Sequence, residues 1–368
     1  MRNISLINLE FSEVFFMFHT VELYRDINSL EYYHLVNSLK SLSKKSKTKY
    51  FENYSDKRET VFNCFTENGI IIVMKQYQVD IYTYHKVKIR INPKRLTNNN
   101  EFVEVAKEND LDRIRKEFRK VMSILRKEFN EKSKNKVKFI FDMLDKYCVR
   151  RIDFCVNIFF KNSEKVMELI RRSDVPKNFK PYLIYDTKDK RFIMPKNSFY
   201  INSKLLTINI YLKNAQMLND NYFNSINIST SEGIIRFEVQ CYLQKVNNIK
   251  SKYKIDINNI FNIATKNIAE ETLRYYLKKT VGFEDYYTLS EAKNLINNNK
   301  QYRDSTKKEM IDLIRLINKK RSIPKAREEY SGKSSSFDML IKKIRALNIN
   351  PVTCLLYTSD AADEGLGV

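Results

Sequence analysis

The sequence lacks the cysteine spacing that zinc ribbons or a disulfide framework need. Its five cysteines (Cys64, Cys148, Cys155, Cys241, Cys354) are scattered and include no Cys-x-x-Cys pair, which points to a reducing cytoplasm. Histidine is scarcer still, with only His19, His34 and His85, so a histidine-rich metal site is excluded. Nowhere does an apolar run approach the roughly 20 residues that span a bilayer. The first 17 residues carry Glu10 and Glu13 within their apolar stretch and offer no small-residue cleavage site, which argues against a signal peptide. No internal repeat and no low-complexity tract is evident.

Acidic residues are also in deficit. Against 66 Lys+Arg stand 44 Asp+Glu, a formal net charge of +22 over 368 residues. A charge that large repels itself in the compact state, and a polyanionic partner relieves it. An AT-rich gene would account for abundant Lys, Asn and Ile but not for the shortage of acids. Nucleic acid is therefore the expected partner, and a membrane is not. At residues 354–368, CLLYTSDAADEGLGV, Lys and Arg vanish and Ala, Gly and Asp take over. The string resembles a translated sequencing adapter. It is set aside from fold reasoning, with the native chain expected to run on past Thr353.

Four segments follow from the patterning: an α+β half over 1–147, a second α+β half over 148–255, a helical region over 256–353, and the foreign tail. In the first, 16–24 reads as a strand and 28–42 as a helix. Strands at 60–76 and 79–91 follow, with Asn68-Gly69 marking a tight turn. Asp110 is expected to cap a helix at 111–129 with an apolar stripe from Leu111 to Phe129 and a basic opposite face bearing Arg113, Lys116, Lys120, Arg126 and Lys127. In the second, strands are expected at 148–160, 198–203, 206–213 and 233–243, with a short helix at 163–172. In the third, Thr288-x-x-Glu291 and Thr306-x-x-Glu309 read as capping boxes for helices at 289–298 and 307–320, with another at 337–347. These short basic helices fit a plain packing extension first and a DNA-reading helix-turn-helix second. The order of elements predicts an antiparallel sheet with helices on one face.

Alternation along a strand sends successive side chains to opposite faces. It groups Arg151, Asp153, Cys155 and Asn157 against Ile152, Phe154, Val156 and Ile158. Likewise Thr207, Asn209, Tyr211 and Lys213 oppose Ile208, Ile210 and Leu212, and Arg236, Glu238, Gln240 and Tyr242 oppose Ile235, Phe237, Val239 and Cys241. If the strands are neighbours, one face gathers two acids, two arginines, a lysine and a tyrosine over an apolar floor. An ordinary half-solvated sheet with cross-strand ion pairs would show the same pattern. A fourth strand aligns Tyr82, Tyr84, Lys86, Lys88 and Arg90, aromatics interleaved with cations as single-stranded nucleic acid requires, while His85 falls on the core side. Such a face can cut a phosphodiester. A tyrosine, with a pKa of about 10, needs a base, cation or metal beside it. Carboxylates can hold Mg²⁺ or Mn²⁺, and arginine can grip phosphate oxygens.

The segments RRIDFCVNI (150–158), SFYINSKLLTINIYLKNAQM (198–217) and IIRFEVQCYL (234–243) together resemble the replication initiation factor family of rolling-circle plasmids and phages. The resemblance implies a relaxase-like α+β fold with ferredoxin-like repeats, and a strand-specific nickase whose tyrosine becomes linked to a 5′ phosphate. It also implies an origin recognised as single strand or hairpin, and a host helicase or polymerase as a further partner. By position it makes Tyr211 the nucleophile, Asp153 and Glu238 the metal ligands, and Arg151, Arg236 and Lys213 the phosphate holders, with Tyr200 as a second candidate nucleophile. The chain departs from the family pattern at Leu212 and Gln216, where acids are common. A DNA-binding protein that does not cut, or an RNA-binding protein, are the competing readings.

Overall fold

The computed structural model describes residues 17–53, 58–97, 103–187, 190–219 and 225–354. The chain opens with β1 (Met17–Ile27) and α1 (Ser29–Lys45). Asn28 and Glu31 close that helix's first turn reciprocally: the Asn28 Oδ1 accepts from Glu31 N at 2.8 Å and the Glu31 Oε2 from Asn28 N at 2.9 Å. The short edge strand β2 (Tyr50–Asn53) leads to β3 (Arg58–Phe62), β4 (Ile70–Val79) and β5 (Tyr82–Ile91). The turn at Asn68-Gly69 forms, with Gly69 at φ +72°. After α2 (Pro93–Thr97) comes the long α3 (Leu111–Ser133), whose stripe of Leu111, Ile114, Phe118, Val121, Met122, Leu125 and Phe129 is buried as the 3.6-residue period dictates. Asp110 occupies the cap position without capping α3; its carboxylate accepts from Lys107 N at 2.8 Å and closes the preceding turn instead.

The second half repeats this plan. It comprises β6 (Cys148–Phe159), α4 (Ser163–Ile170), the two-residue β7 (Lys180–Pro181), a small hairpin of β8 (Ile184–Asp186) and β9 (Arg191–Ile193), then β10 (Ser198–Asn202) and β11 (Leu206–Leu212). Next come α5 (Lys213–Asn219), α6 (Ser225–Ser231) and β12 (Ile234–Cys241). The main sheet has ten antiparallel strands in the order β2-β3-β4-β5-β1-β6-β12-β11-β10-β7. Outward from the centre, one half runs β1-β5-β4-β3 and the other β6-β12-β11-β10. Each is a βαβββ unit whose first strand lies innermost, so the expected repetition is one of topology, unaccompanied by repetition of sequence.

Helices cover the apolar face: α1 lies over β3 and β5, and α4 over β10, β11 and β12. Beyond the sheet follow α7 (Leu243–Lys252), α8 (Ile260–Ile263) and α9 (Lys266–Thr280), the last packed on β1, β6 and β12. The chain ends in α10 (Leu289–Asn298), α11 (Asp304–Lys320), α12 (Ile323–Glu329) and α13 (Ser334–Ala346). Thr288 and Glu291 form the expected box at the start of α10. Thr306 does not cap α11, which already begins at Asp304, one turn's worth of propensity earlier than the motif suggested. The helical region is tied to the turn after α4 through Ile323 N donating to Arg172 O at 3.0 Å and Arg327 Nη2 donating to both Asp174 oxygens at 2.7 and 2.8 Å. One apolar core runs without interruption from Phe18 to Val352. Among the described residues no helix is long and apolar enough to cross a membrane. The segment 354–368, expected from its composition to be non-native, lies, apart from Cys354, outside the described residues.

Candidate functional site

The polar face of the sheet is where the two halves meet. β6 pairs with β1 on one side and β12 on the other, and β12 pairs with β11. Register places Tyr211 opposite Arg236, Cys155 opposite Glu238, and Asp153 opposite Gln240. Asp153 and Glu238 are thus diagonal neighbours, about 7–8 Å apart along such a ladder. Tyr211, Asp153, Glu238, Arg151 and Tyr200 all line one cavity of about 710 Å³.

At its floor the Tyr211 hydroxyl donates to Glu238 Oε1 at 2.7 Å. Burial, reinforced by the Glu238 charge, raises the phenol well above its ordinary pKa and keeps it protonated. Burial also opposes charge on Glu238, but the charge of His19 when protonated, then Arg236, the phenol's hydrogen bond and Lys213 outweigh it and hold the carboxylate below its usual range. Asp153 receives Arg151 in a two-pronged contact, Nε and Nη2 each at 2.7 Å. Its burial is the stronger influence, pushing the acid up to about 7. Arg236 is wholly enclosed: its Nε donates to Asn157 Oδ1 at 2.7 Å and its Nη2 to the Val103 carbonyl, while Nη1 faces Glu238 at 4.0 Å. The strip around Val103 lies across this face, and Val105 packs on Cys155.

Lys213 is not a strand residue. The strand ends at Leu212 and Lys213 opens α5, buried, with Nζ donating to Gln216 Oε1 at 2.6 Å. Strand alternation cannot foresee where a helix takes over. Alternation fails in a second way in the β1–β6 ladder, which contains two irregularities. Between Phe18 and Thr20 the register slips at His19, and between Glu22 and Leu23 it slips at Arg150 on the partner strand. A bulge lets two consecutive side chains share a face. His19 and Thr20 both line the cavity, and Arg150 joins Arg151 beside Glu22. Sequence reasoning missed both. His19 is buried enough to be driven down to about 4, hence neutral at pH 7.

The remaining cationic row follows the alternation. Tyr82 and Tyr84 are exposed at the tip of the β4–β5 hairpin, and Tyr84 stacks on Tyr77 at 5.6 Å. Lys86 pairs with Asp26 at 3.3 Å, Lys88 with Glu59 at 3.0 Å, and Arg90 with Glu22 at 2.7 Å. Each cation therefore has a carboxylate, and the face is less positive than its lysines suggest. His85 is buried against Tyr32 at 4.5 Å. A smaller hollow of about 260 Å³, lined by Arg90, Arg95 and Lys213, adjoins the cavity and shares His19, Thr20 and Gln216 with it.

No protein-family model and no curated protein matches this chain. Among solved structures it is similar to the rolling circle replication initiator protein from Geobacillus stearothermophilus. The identity is 11%, the match covers 66% of this chain and 80% of that one, and the TM-score is 0.31. At that level the likeness carries no argument, and the geometry has to stand alone.

Two carboxylates, Asp153 and Glu238, border the cavity, oxygen donors of the kind a hard divalent cation takes. Among the described residues no group of three or more His, Cys, Asp and Glu side chains is arranged to hold a metal, and both Asp153 oxygens are engaged by Arg151.

Proposed function

We propose that this chain cuts single-stranded DNA at a replication origin through Tyr211 and so initiates rolling-circle replication. The observation that carries the reading is the buried Tyr211–Glu238 hydrogen bond at 2.7 Å, in a cavity that also holds Asp153 and Arg151. The Tyr211 oxygen attacks the scissile phosphorus as its proton passes to Glu238. The P–O3′ bond breaks, the 3′ oxygen takes up a proton, and the 5′ phosphate stays on the tyrosine. A phenol held protonated is a poor nucleophile, so its proton has to move as attack proceeds.

Arg151 is the phosphate fork on the open side of the cavity, and Lys213 adds charge from the start of α5. Arg236, being enclosed, acts on the phenol and Glu238 through its charge. Asp153 and Glu238 would hold Mg²⁺ or Mn²⁺, with water and the DNA phosphate as the other ligands and Arg151 transferring from Asp153 to phosphate. Such an ion would offset charge developing on the phosphate. The row of Tyr82, Tyr84, Lys86, Lys88 and Arg90 would carry the strand toward the cavity, bases on the rings and phosphates near the cations.

A second reading is favoured by the near-complete enclosure of Tyr211 and by Gln216 holding Lys213: a DNA-binding protein that no longer cuts. Incubation with labelled single-stranded oligonucleotide pools and Mn²⁺, followed by denaturing electrophoresis, separates the two. A protein–DNA adduct that disappears in Tyr211→Phe supports the nickase. Binding with no adduct for wild-type protein supports the second reading.

A further inference from the structure

Between α4 and β10 the second half carries an insertion that the first half lacks, the β8–β9 hairpin. Five large apolar residues on it or at its base are exposed: Tyr182, Leu183, Ile184, Tyr185 and Phe192. Tyr185 and Phe192 are cross-strand partners, their rings 5.3 Å apart and edge to face, at 54% and 67% exposure. Scattered exposed apolar residues are normal, but a contiguous cluster marks an interaction surface. A two-stranded ribbon gains little stability of its own in water, so folding alone gives no reason to keep these rings solvated.

The base of the hairpin is fixed. Tyr182 N donates to Tyr200 O at 2.8 Å, and Arg171 Nη2 donates to Met194 O at 2.8 Å. Tyr182 and Tyr200 meet edge to face at 5.3 Å, and both line the cavity that contains Tyr211, together with Pro195 and Lys196. Aromatic surface therefore runs from the cavity wall out along the hairpin. Lys180, Lys190 and Lys196 are exposed around it. A protein-binding patch would be depleted of charge at its centre. Rings among lysines suit unpaired bases, whose faces stack on the rings while the phosphates meet the ammonium groups.

We infer that the β8–β9 hairpin is a stacking arm that binds the unpaired nucleobases flanking the phosphate held in the cavity, with Tyr182, Tyr185 and Phe192 as its base-contacting residues. This rests on the DNA reading of the cavity but not on its cutting chemistry. The arm makes no base-specific hydrogen bond, so its preference is for single strand over duplex and not for one sequence.

The test is fluorescence anisotropy with a labelled oligothymidylate 20-mer, using the full chain. Tyr185→Ala/Phe192→Ala is expected to bind roughly 5- to 100-fold more weakly than wild type. The slope of log K against log salt stays unchanged, because the rings neutralise no phosphate. Tyr185→Phe, which keeps the ring, binds like wild type. Should the double variant melt early, Tyr185→Ala and Phe192→Ala singly carry the same test. Wild-type protein that binds the 20-mer and forms no adduct bears on the cutting and not on the arm. Affinity within twofold of wild type in the ring-deleted variants overturns the inference. So does a change from dimer to monomer in sedimentation with DNA affinity intact, which would assign the rings to a second copy of the chain.

Discussion

Arg236→Met tests whether the enclosed guanidinium holds the site together. The substitution keeps the apolar stem and removes the charge. It leaves Glu238 buried without the guanidinium 4.0 Å away, and it orphans Asn157 Oδ1, while the Val103 carbonyl keeps Asn157 Nδ2 at 2.8 Å. Removing one partner of a buried pair costs about 3–5 kcal/mol, and the unsatisfied acceptor adds about 1 kcal/mol or more. Against this, Arg236 Nη1 is itself buried with no hydrogen-bond partner, and losing it returns about 1–3 kcal/mol. The net expectation is about 1–5 kcal/mol, read as a lowered urea midpoint with an unchanged slope at pH 7. Adding Glu238→Gln in the Arg236→Met background removes the stranded charge while the amide oxygen still accepts from Tyr211. The double variant should recover part of the loss, so that the two changes couple by about 1–3 kcal/mol. Strict additivity, or a cost for Arg236→Met below about 1 kcal/mol, would refute the account of Arg236 as the counter-charge of this site.

Further expectations concern pH, backbone, core and salt. His19 in the folded chain binds its proton only near pH 4, against 6.5 unfolded, so it contributes stability present above 6.5 and lost as pH falls toward 4. Asp153, raised to about 7 from 3.8, has the opposite sign: its contribution is present below 3.8 and lost as pH rises through 7. The advantage of wild type over His19→Gln should therefore grow between pH 4 and 6.5, by at most about 3 kcal/mol, while that over Asp153→Asn shrinks; thermal midpoints across this range check both. Gly69→Ala sets a Cβ 2.8 Å from the Asn92 carbonyl at φ +72°, and a loss of about 1–3 kcal/mol in denaturant titration is expected. Phe199→Ala empties a fully buried site under α4 and should cost about 3–5 kcal/mol by the same titration. Arg151→Gln should lower the salt slope of single-strand binding by about 0.7, measured by anisotropy from low to high salt.

The strands of the second half and the buried stripe of α3 were legible because period-2 and period-3.6 patterns are strong there and the chain obeys them. The convergence of Asp153, Tyr211 and Glu238 on one face followed from the same counting once the strands proved to be neighbours. What the pattern hid was local. Lys213 continues the strand's parity but begins a helix, and nothing in Leu212-Lys213-Asn214 marks the change. His19 and Arg150 reach the polar face because each sits at an extra residue in its ladder, and a single sequence does not show where two strands fall out of step. The β8–β9 hairpin was invisible as a unit because its strands are three residues each. Arg236 looked like an open phosphate fork, since alternation assigns a face but says nothing of the Val103 strip that crosses it.

The twofold topology has a mechanical consequence. Within the sheet the halves are joined along one ladder, β1 against β6, with α9 and the Val103 strip also crossing between them, and the cavity straddles that ladder: His19 comes from one half, Asp153 from the other. Each half has its own strand order and its own helix over it, α1 on one and α4 on the other. A shear along the seam would therefore part the histidine from the acids while leaving both halves folded. Tension on a bound strand that spans the seam would act on the place where the reacting groups are assembled.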